Sequence, residues 1–311
     1  MRYLVGARGS QLSVAQTNWV VSELSSRNRG SEFEMVAITT KGDTDARPLF
    51  TINQKGIFEK EVDRAVAERR VDFAVHSLKD VPAELPDELV LACIPRRESP
   101  NDIFISRDGT NLEGMRKGAV IGTSSLRRAV QVSRKRPDLT VRPIRGNIET
   151  RVRKVAEGTF DGIVLAQAGI QRLGLGVRYE VLSAEDFAPS PGQGALAIVA
   201  RKDDDDVLNL LRGIEDEVSR NEVEAERSLS IFVDSGCRFP VGALAAQSGE
   251  RLVLNVTAYS VDGDRRLSVR RESAPGEARD LGRLAAADLA AKGIEELARD
   301  WRAKVEEWNR G

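Results

Sequence analysis

Over the first two-thirds of the chain, short apolar runs alternate with stretches whose apolar positions recur every three or four residues. The first kind reads as buried strand and the second as amphipathic helix. Tyr3–Ala7 is the first expected strand. Gln11–Ser26 is the first expected helix, with Leu12, Ala15, Trp19, Val20 and Leu24 on one side and Ser10 placed to cap it. Glu34–Thr40 is a strand, Phe58, Val62, Ala65 and Val66 mark a helical face, and Phe73–His76 and Leu89–Ile94 are further strands. A second set starts near residue 102, with strands at Ala119–Gly122, Val141–Ile144, Gly162–Ala166 and Ala195–Val199. Helices fall at Leu126–Arg136, which Pro137 ends, and at Ile148–Glu157. This rhythm predicts an α/β fold with much parallel sheet.

The last third changes character. Glu217–Phe232 reads as a helix, and Asp234–Gly242 is rich in turn residues. Leu252–Tyr259 and Arg266–Arg271 form strands around Val261-Asp262-Gly263-Asp264, whose Asp-Gly step signals a hairpin. One long helix over Ala278–Trp308 closes the chain, giving a small α+β unit. The acidic run Asp203–Asp206 reads as a solvated surface turn rather than a site.

Composition narrows the function classes. The chain of 311 residues suits two or three domains, and 41% hydrophobic residues suffice for their cores. A net charge of −1 and only 5% aromatic residues argue against a whole-molecule nucleic-acid binder. Cys93 and Cys237 are far apart and give neither a disulfide framework nor a zinc pattern. No segment is apolar over the length a membrane span needs, and the first residues lack the apolar run of a signal peptide, so a cytoplasmic protein is expected.

Against that neutral background one stretch stands out. Between Arg116 and Lys154, twelve Lys or Arg meet only Asp138 and Glu149, a local excess of ten positive charges. Nine of the twelve are Arg, whose planar fork suits carboxylates or phosphates. Gly122-Thr123-Ser124-Ser125 follows a strand and opens a helix, where hydroxyls and unpaired backbone N–H groups form an anion site. Arg127 and Arg128 sit in that helix's first turn, where a cation opposes the dipole unless an anion is bound. Arg145-Gly146-Asn147 repeats the arrangement. A basic helix face balanced by acids elsewhere is the competing reading.

Two further segments carry candidate chemistry. Val75-His76-Ser77-Leu78-Lys79-Asp80-Val81-Pro82 lies at the C-terminal end of a strand, where open α/β sheets place ligands. Spacing alone reads Lys79 and Asp80 as a surface pair in a turn, and His76, the only histidine, as a hydrogen-bonded core residue. Cys237 stands in Asp234-Ser235-Gly236-Cys237-Arg238-Phe239-Pro240, a loop beside a cation that favours the thiolate; it reads equally as a nucleophile and as an unused thiol. Cys93, inside Leu91-Ala92-Cys93-Ile94, reads as a buried filler.

Together these segments, with Ala7-Arg8-Gly9-Ser10-Gln11-Leu12 and Gly192-Gln193-Gly194-Ala195, resemble the porphobilinogen deaminase family in the same order along nearly the whole chain. The resemblance implies two type II periplasmic-binding-protein-like α/β domains, residues 1–97 with 195–215 and residues 98–194. A small α+β C-terminal domain, residues 216–311, would carry the cysteine. It implies a monomeric transferase of porphyrin biosynthesis that joins four porphobilinogen molecules head to tail to hydroxymethylbilane, releasing ammonia. The primer would be a dipyrromethane cofactor on a thioether to Cys237, so that no metal, flavin or nucleotide site is required.

Site roles follow from the same resemblance. Asp80 is expected to be catalytic, accepting pyrrole N–H bonds and opposing the positive charge formed as ammonia leaves. Lys79, Asp80, Thr123, Ser124, Ser125, Arg127, Arg128, Arg145, Gly146, Gln193 and Gly194 would bind the cofactor, with Gln193 and Gly194 lining the cleft between the α/β domains. Arg8, Ser10, Arg151 and Lys55 would bind substrate. Two departures from the family pattern are Asn53-Gln54, where glycines are frequent in the lid loop, and Ser13, which stands for alanine with little effect expected. A non-enzymatic anion-binding protein is the first rival reading, but it does not explain Cys237 or Asp80; a nucleic-acid binder using the basic stretch is the second, and it would show affinity that falls steeply with salt and ignores ligand identity.

Overall fold

The computed structural model describes residues 1–40, 59–82, 84–233 and 239–298. They fall into two compact units. One holds the described residues up to Glu98 together with Gly194–Arg220, and the other holds Ser99–Gln193 with the described residues from Asn221 on.

The first unit is built on strands whose apolar runs are buried on both faces, as parallel central strands require. β1 (Arg2–Arg8) runs parallel to β2 (Glu32–Ile38) and β3 (Phe73–Ser77). β10 (Leu196–Arg201), buried at all six positions, inserts antiparallel between β3 and β4 (Leu89–Cys93). The order is β2-β1-β3-β10-β4. Among the described residues, three helices cover this sheet: α1 (Gln11–Arg27), α2 (Lys60–Ala67) and α6 (Asp205–Arg212).

The second unit repeats the scheme. β6 (Val120–Thr123) runs parallel to β7 (Thr140–Pro143) and β8 (Gly162–Ala166), while β5 (Asp102–Ser106) runs against β8 and β9 (Glu180–Val181). The order β7-β6-β8-β5-β9 thus has one reversed strand next to the edge, as in the first sheet. This sheet carries α3 (Leu126–Lys135), α4 (Ile148–Ala156) and α5 (Gln167–Arg172).

The same unit includes a third, antiparallel sheet of β11 (Val241–Ser248), β12 (Arg251–Tyr259) and β13 (Arg266–Ser273). Leu252, Leu254 and Val256 on its inner face pack with Leu281, Ala285 and Leu289 of α8 (Ala278–Ala291) and with Ala225 and Leu229 of α7 (Glu217–Val233). Arg134 of α3 lies over the Tyr259 ring and donates to the Gly263 carbonyl, tying this sheet to the basic helix.

Three expectations change. The buried side of α1 is Ser13, Gln16, Thr17, Val20 and Leu24, and Trp19 is exposed. Ser13 and Gln16 face inward there because they bond the strand ends beneath, as described below. The expected helix to Trp308 stops at Ala291, where Gly293 at φ +85° turns the chain into the short α9 (Ile294–Ala298); residues 299–311 lie outside the described ones. The acidic run is solvated as expected, with Asp203 in a turn, but it also opens a helix: Asp204 accepts the Val207 N–H, and Asp205 and Asp206 occupy the first turn of α6, where the dipole favours acids.

Candidate active site

In the first unit the C-terminal ends of β1 and β3 carry the predicted groups. Ser10 caps α1 by accepting the Ser13 N–H, and the Ser13 hydroxyl accepts the Arg8 N–H at 3.1 Å. Ser13 therefore helps to fix the backbone of Arg8, a use its expected small effect did not include. Gln16 donates to the Ser77 hydroxyl at 2.8 Å and ties α1 to the end of β3. There a single 3₁₀ turn, Leu78–Asp80, leaves Lys79 half-buried and Asp80 exposed. Leu78 anchors the turn by filling the core and donating its N–H to the Ala195 carbonyl. His76 is buried and bonded through Nε2 to Asp63 Oδ1 of α2 at 3.0 Å, the core role read from sequence.

In the second unit the first-turn arginines of α3 carry their own counter-ion. Asp102, fully buried at the start of β5, accepts from Arg127 Nη1 at 2.9 Å and from Arg128 Nε and Nη2 at 3.0 and 2.8 Å. Burial alone would raise the Asp102 carboxyl, but the two guanidinium groups outweigh it and hold it well below the usual carboxylate range. The dipole argument asked for an anion at this helix start, and Asp102 supplies one. Arg127 is also bonded to Gln131 and to the Ala188 carbonyl, so its guanidinium is spent on the protein.

Gln193 and Gly194 are both buried. Gln193 donates to Asp102 Oδ1 at 2.8 Å and to the Pro100 carbonyl at 2.6 Å, and accepts from Arg128. In the first unit the Gly194 carbonyl accepts the Glu98 N–H.

Beyond this network lies a group of cations at the starts of α3 and α4. Arg151 donates to the Ser124 hydroxyl at 2.9 Å and to the Gly146 carbonyl at 2.8 Å. Burial first, and then the charges of Arg128 and Arg145, push its guanidinium down to about 10. The Thr123 hydroxyl accepts the Ser125 N–H, and Ser125 does not cap α3 with its side chain, so the helix start keeps its donors. Gly146 sits at φ +114° with Thr150 filling the space a Cβ would take, so a side chain there would clash and strain the turn. Asn147 caps α4 through the Thr150 N–H.

Lys55 and Cys237, with the 53–58 lid segment, lie outside the described residues. Sequence reasoning missed Asp102 and Asp63. An acid heading the apolar run Ile103-Phe104-Ile105 was the available signal for Asp102, since a strand so buried needs a cation opposite such an acid.

Comparison with known proteins adds a separate finding. Residues 3–209 match the family model described as porphobilinogen deaminase, dipyromethane cofactor binding domain, and residues 221–291 match its C-terminal domain. The chain is 63% identical over 310 residues to the probable porphobilinogen deaminase of Nitrosopumilus maritimus, covering 100% of both chains. It is 45% identical over 291 residues to the porphobilinogen deaminase of Sorangium cellulosum, covering 93% of this chain and 97% of the relative. With the porphobilinogen deaminase of an Exiguobacterium strain it shares 40% identity over 300 residues, 95% and 97% of the two chains.

Proposed function

The chain belongs to the porphobilinogen deaminase family, and on that premise we propose that Asp80 and the Arg128–Arg145–Arg151 group are the working parts of its chemistry. The enzyme, a hydroxymethylbilane synthase, joins four porphobilinogen molecules head to tail with release of ammonia, in tetrapyrrole biosynthesis, on a dipyrromethane cofactor. The division into three domains, residues 1–97 with 195–215, 98–194 and 216–311, belongs to the proposal and is supported by the three separate sheets. A cytoplasmic monomer is the setting that family membership suggests.

The observation that carries the site assignment is Arg151. It is a half-buried cation with two further cations beside it, and burial and like charge alone depress it. Such a group is built for an incoming anion. Every porphobilinogen unit bears an acetate and a propionate, so both the substrate and the cofactor fit these residues. When bound, the dipyrromethane supplies the pyrrole carbon to which the first unit is joined, and Cys237 would hold it through sulfur.

Arg128, Arg145 and Arg151 would bind the carboxylates, with Ser124 and the open N–H groups of α3 completing the shell. Arg127, Gln193 and Asp102 would act behind them by fixing the plane of Arg128. Asp80, exposed on its short turn, would accept the pyrrole N–H and oppose the positive charge that develops as ammonia leaves. The same carboxylate is placed to take a proton afterwards. Arg8, Ser10, Lys55 and Lys79 would hold the side chains of the arriving unit.

The test is Arg151→Gln. Losing one charge-assisted pair of about 1.5–3 kcal/mol raises KM for porphobilinogen roughly 10- to 150-fold with a smaller effect on kcat. Arg151→Lys recovers only part of this, because it keeps the charge and loses the fork. Unchanged KM and kcat in Arg151→Gln would remove the assignment.

A further inference from the structure

Glu226 is a fully buried acid of α7 that the proposed chemistry does not use. α7 ends at Val233 and β11 starts at Val241, so these two elements flank the segment that carries Cys237. One carboxyl oxygen of Glu226 accepts the Ala245 N–H of β11 at 2.8 Å, and the other accepts the Gly192 N–H at 2.6 Å. A single side chain thus joins the helix before that segment, the strand after it and the turn at Gly192.

The strand calls for such partners. Among the described residues β11 is an edge strand, paired with β12 alone, so the N–H groups of alternate residues point away from the sheet and need other acceptors. Ala243 donates to the Pro189 carbonyl at 2.9 Å, Ala245 to Glu226, and Gln247 to Glu222, one turn earlier on α7, at 3.1 Å. The approach is close: a Cβ on Gly242 would lie 2.5 Å from both the Cβ and the carbonyl oxygen of Ala188.

Residues 188–193 also hold the arginines. The Ala188 carbonyl accepts from Arg127 at 2.5 Å and from Gln131 at 3.0 Å. Gln193, next to Gly192, accepts from Arg128 and donates to Asp102. One short strap therefore carries the flanks of the Cys237 segment and the first-turn arginines of α3 together.

On the reading of Cys237 as the attachment point, we propose that Glu226 is a positioning residue for cofactor attachment. By fastening α7 and β11 to the Gly192 turn, it sets where the Cys237 thiol is delivered relative to the arginines that hold the pyrrole carboxylates. In the attachment step the sulfur bonds the aminomethyl carbon of porphobilinogen, the carbon–nitrogen bond breaks, and the amine leaves as ammonia with the thiol proton. The sulfur is placed by α7 and β11 and the carbon by the arginines. Misplacing such a pair by about 1 Å costs on the order of a hundredfold in rate.

The experiment uses the chain made in cells that cannot make porphobilinogen. Porphobilinogen is added and the mass gain is followed in time by intact-protein mass spectrometry. Glu226→Gln keeps one accepting oxygen and turns an amide N–H2 toward the other donor. Gly242→Ala pushes β11 off Ala188 without touching the carboxyl group. Val269→Ala trims the core of the same sheet from β13 and is the purely structural comparison. At saturating porphobilinogen both Glu226→Gln and Gly242→Ala should gain mass about ten- to a hundredfold more slowly than the native chain. The half-saturating concentration should stay within about threefold, because Asp102 still holds the arginines. Val269→Ala should match the native chain. A native rate in folded Glu226→Gln, or in Gly242→Ala should the first not fold, overturns the proposal. So does equal slowing in Val269→Ala, or a change confined to the half-saturating concentration. A native chain that gains no mass overturns the Cys237 reading and the proposal with it, whereas one that gains mass at the variants' rate overturns the proposal alone.

Discussion

Replacing Asp102 by Asn tests how the basic site of the second unit is held. Asp102 is completely buried and accepts bonds from Arg127, Arg128 and Gln193, while the two arginines are almost as inaccessible. The substitution keeps one accepting oxygen but leaves two guanidinium charges inside the protein with neutral acceptors only: Gln131 and the Ala188 carbonyl for Arg127, and Gln193 for Arg128. Breaking a buried pair costs about 3–5 kcal/mol, most of it from the stranded charge. The retained oxygen places Asp102→Asn near the lower end, and Asp102→Ala near the upper.

Urea unfolding followed by circular dichroism measures this directly, with unchanged slope as the check that the unfolded state is the same. The double variant Asp102→Asn with Arg127→Met should recover part of the loss, since one stranded charge is gone. The pH dependence has a definite sign. The folded Asp102 carboxyl lies below its ordinary value of 3.8, so its contribution is present above pH 3.8 and disappears as pH falls through the lower folded value. A loss below about 1 kcal/mol in Asp102→Asn would mean that these arginines do not depend on Asp102, and the account of how Arg128 is aimed would be wrong.

Two further outcomes follow from the same geometry. Asp80→Asn should unfold at the native urea concentration, because Asp80 is exposed, yet lose turnover by at least about a hundredfold; a folded variant with near-native kcat would refute its role. Glu59 is buried just before α2, and Glu59→Gln should be more stable than the native chain at neutral pH. The folded Glu59 value of about 9 exceeds the ordinary 4.5, so stability is lost as pH rises between those values, by about 3 kcal/mol at pH 7. Equal unfolding midpoints at pH 7 and a constant difference from pH 5 to 9 would contradict that burial cost.

Much of the fold was legible because its central strands are continuous apolar runs. Phe73–Ser77 and Gly162–Ala166 announce themselves by composition, and Pro137 marks the end of α3. What stayed hidden depends on contacts far apart in sequence. Asp102 and Arg128 are separated by 26 positions, so neither residue reveals that the other neutralises it. The inward face of α1 was misread because Ser13 and Gln16 are buried for the sake of hydrogen bonds, which a hydrophobic pattern does not record. β11, with its run of glycine and alanine, carries little strand propensity and is fixed by pairing with β12 along its whole length. The break at Gly293 was visible as a glycine but outweighed by the periodicity around it. Of the site, the basic stretch and the strand-end position of Asp80 could be read from residues alone, whereas the role of Cys237 came only from resemblance.

The central claim is that this chain builds its product on a pyrrole primer fixed to Cys237. Intact-protein mass spectrometry of the chain purified from cells that make porphobilinogen, beside Cys237→Ser, tests it most directly. The account predicts a mass excess of two linked pyrrole units in the native chain and none in the variant. A folded native chain that keeps its unmodified mass even after incubation with porphobilinogen, or an excess that survives in Cys237→Ser, would contradict it.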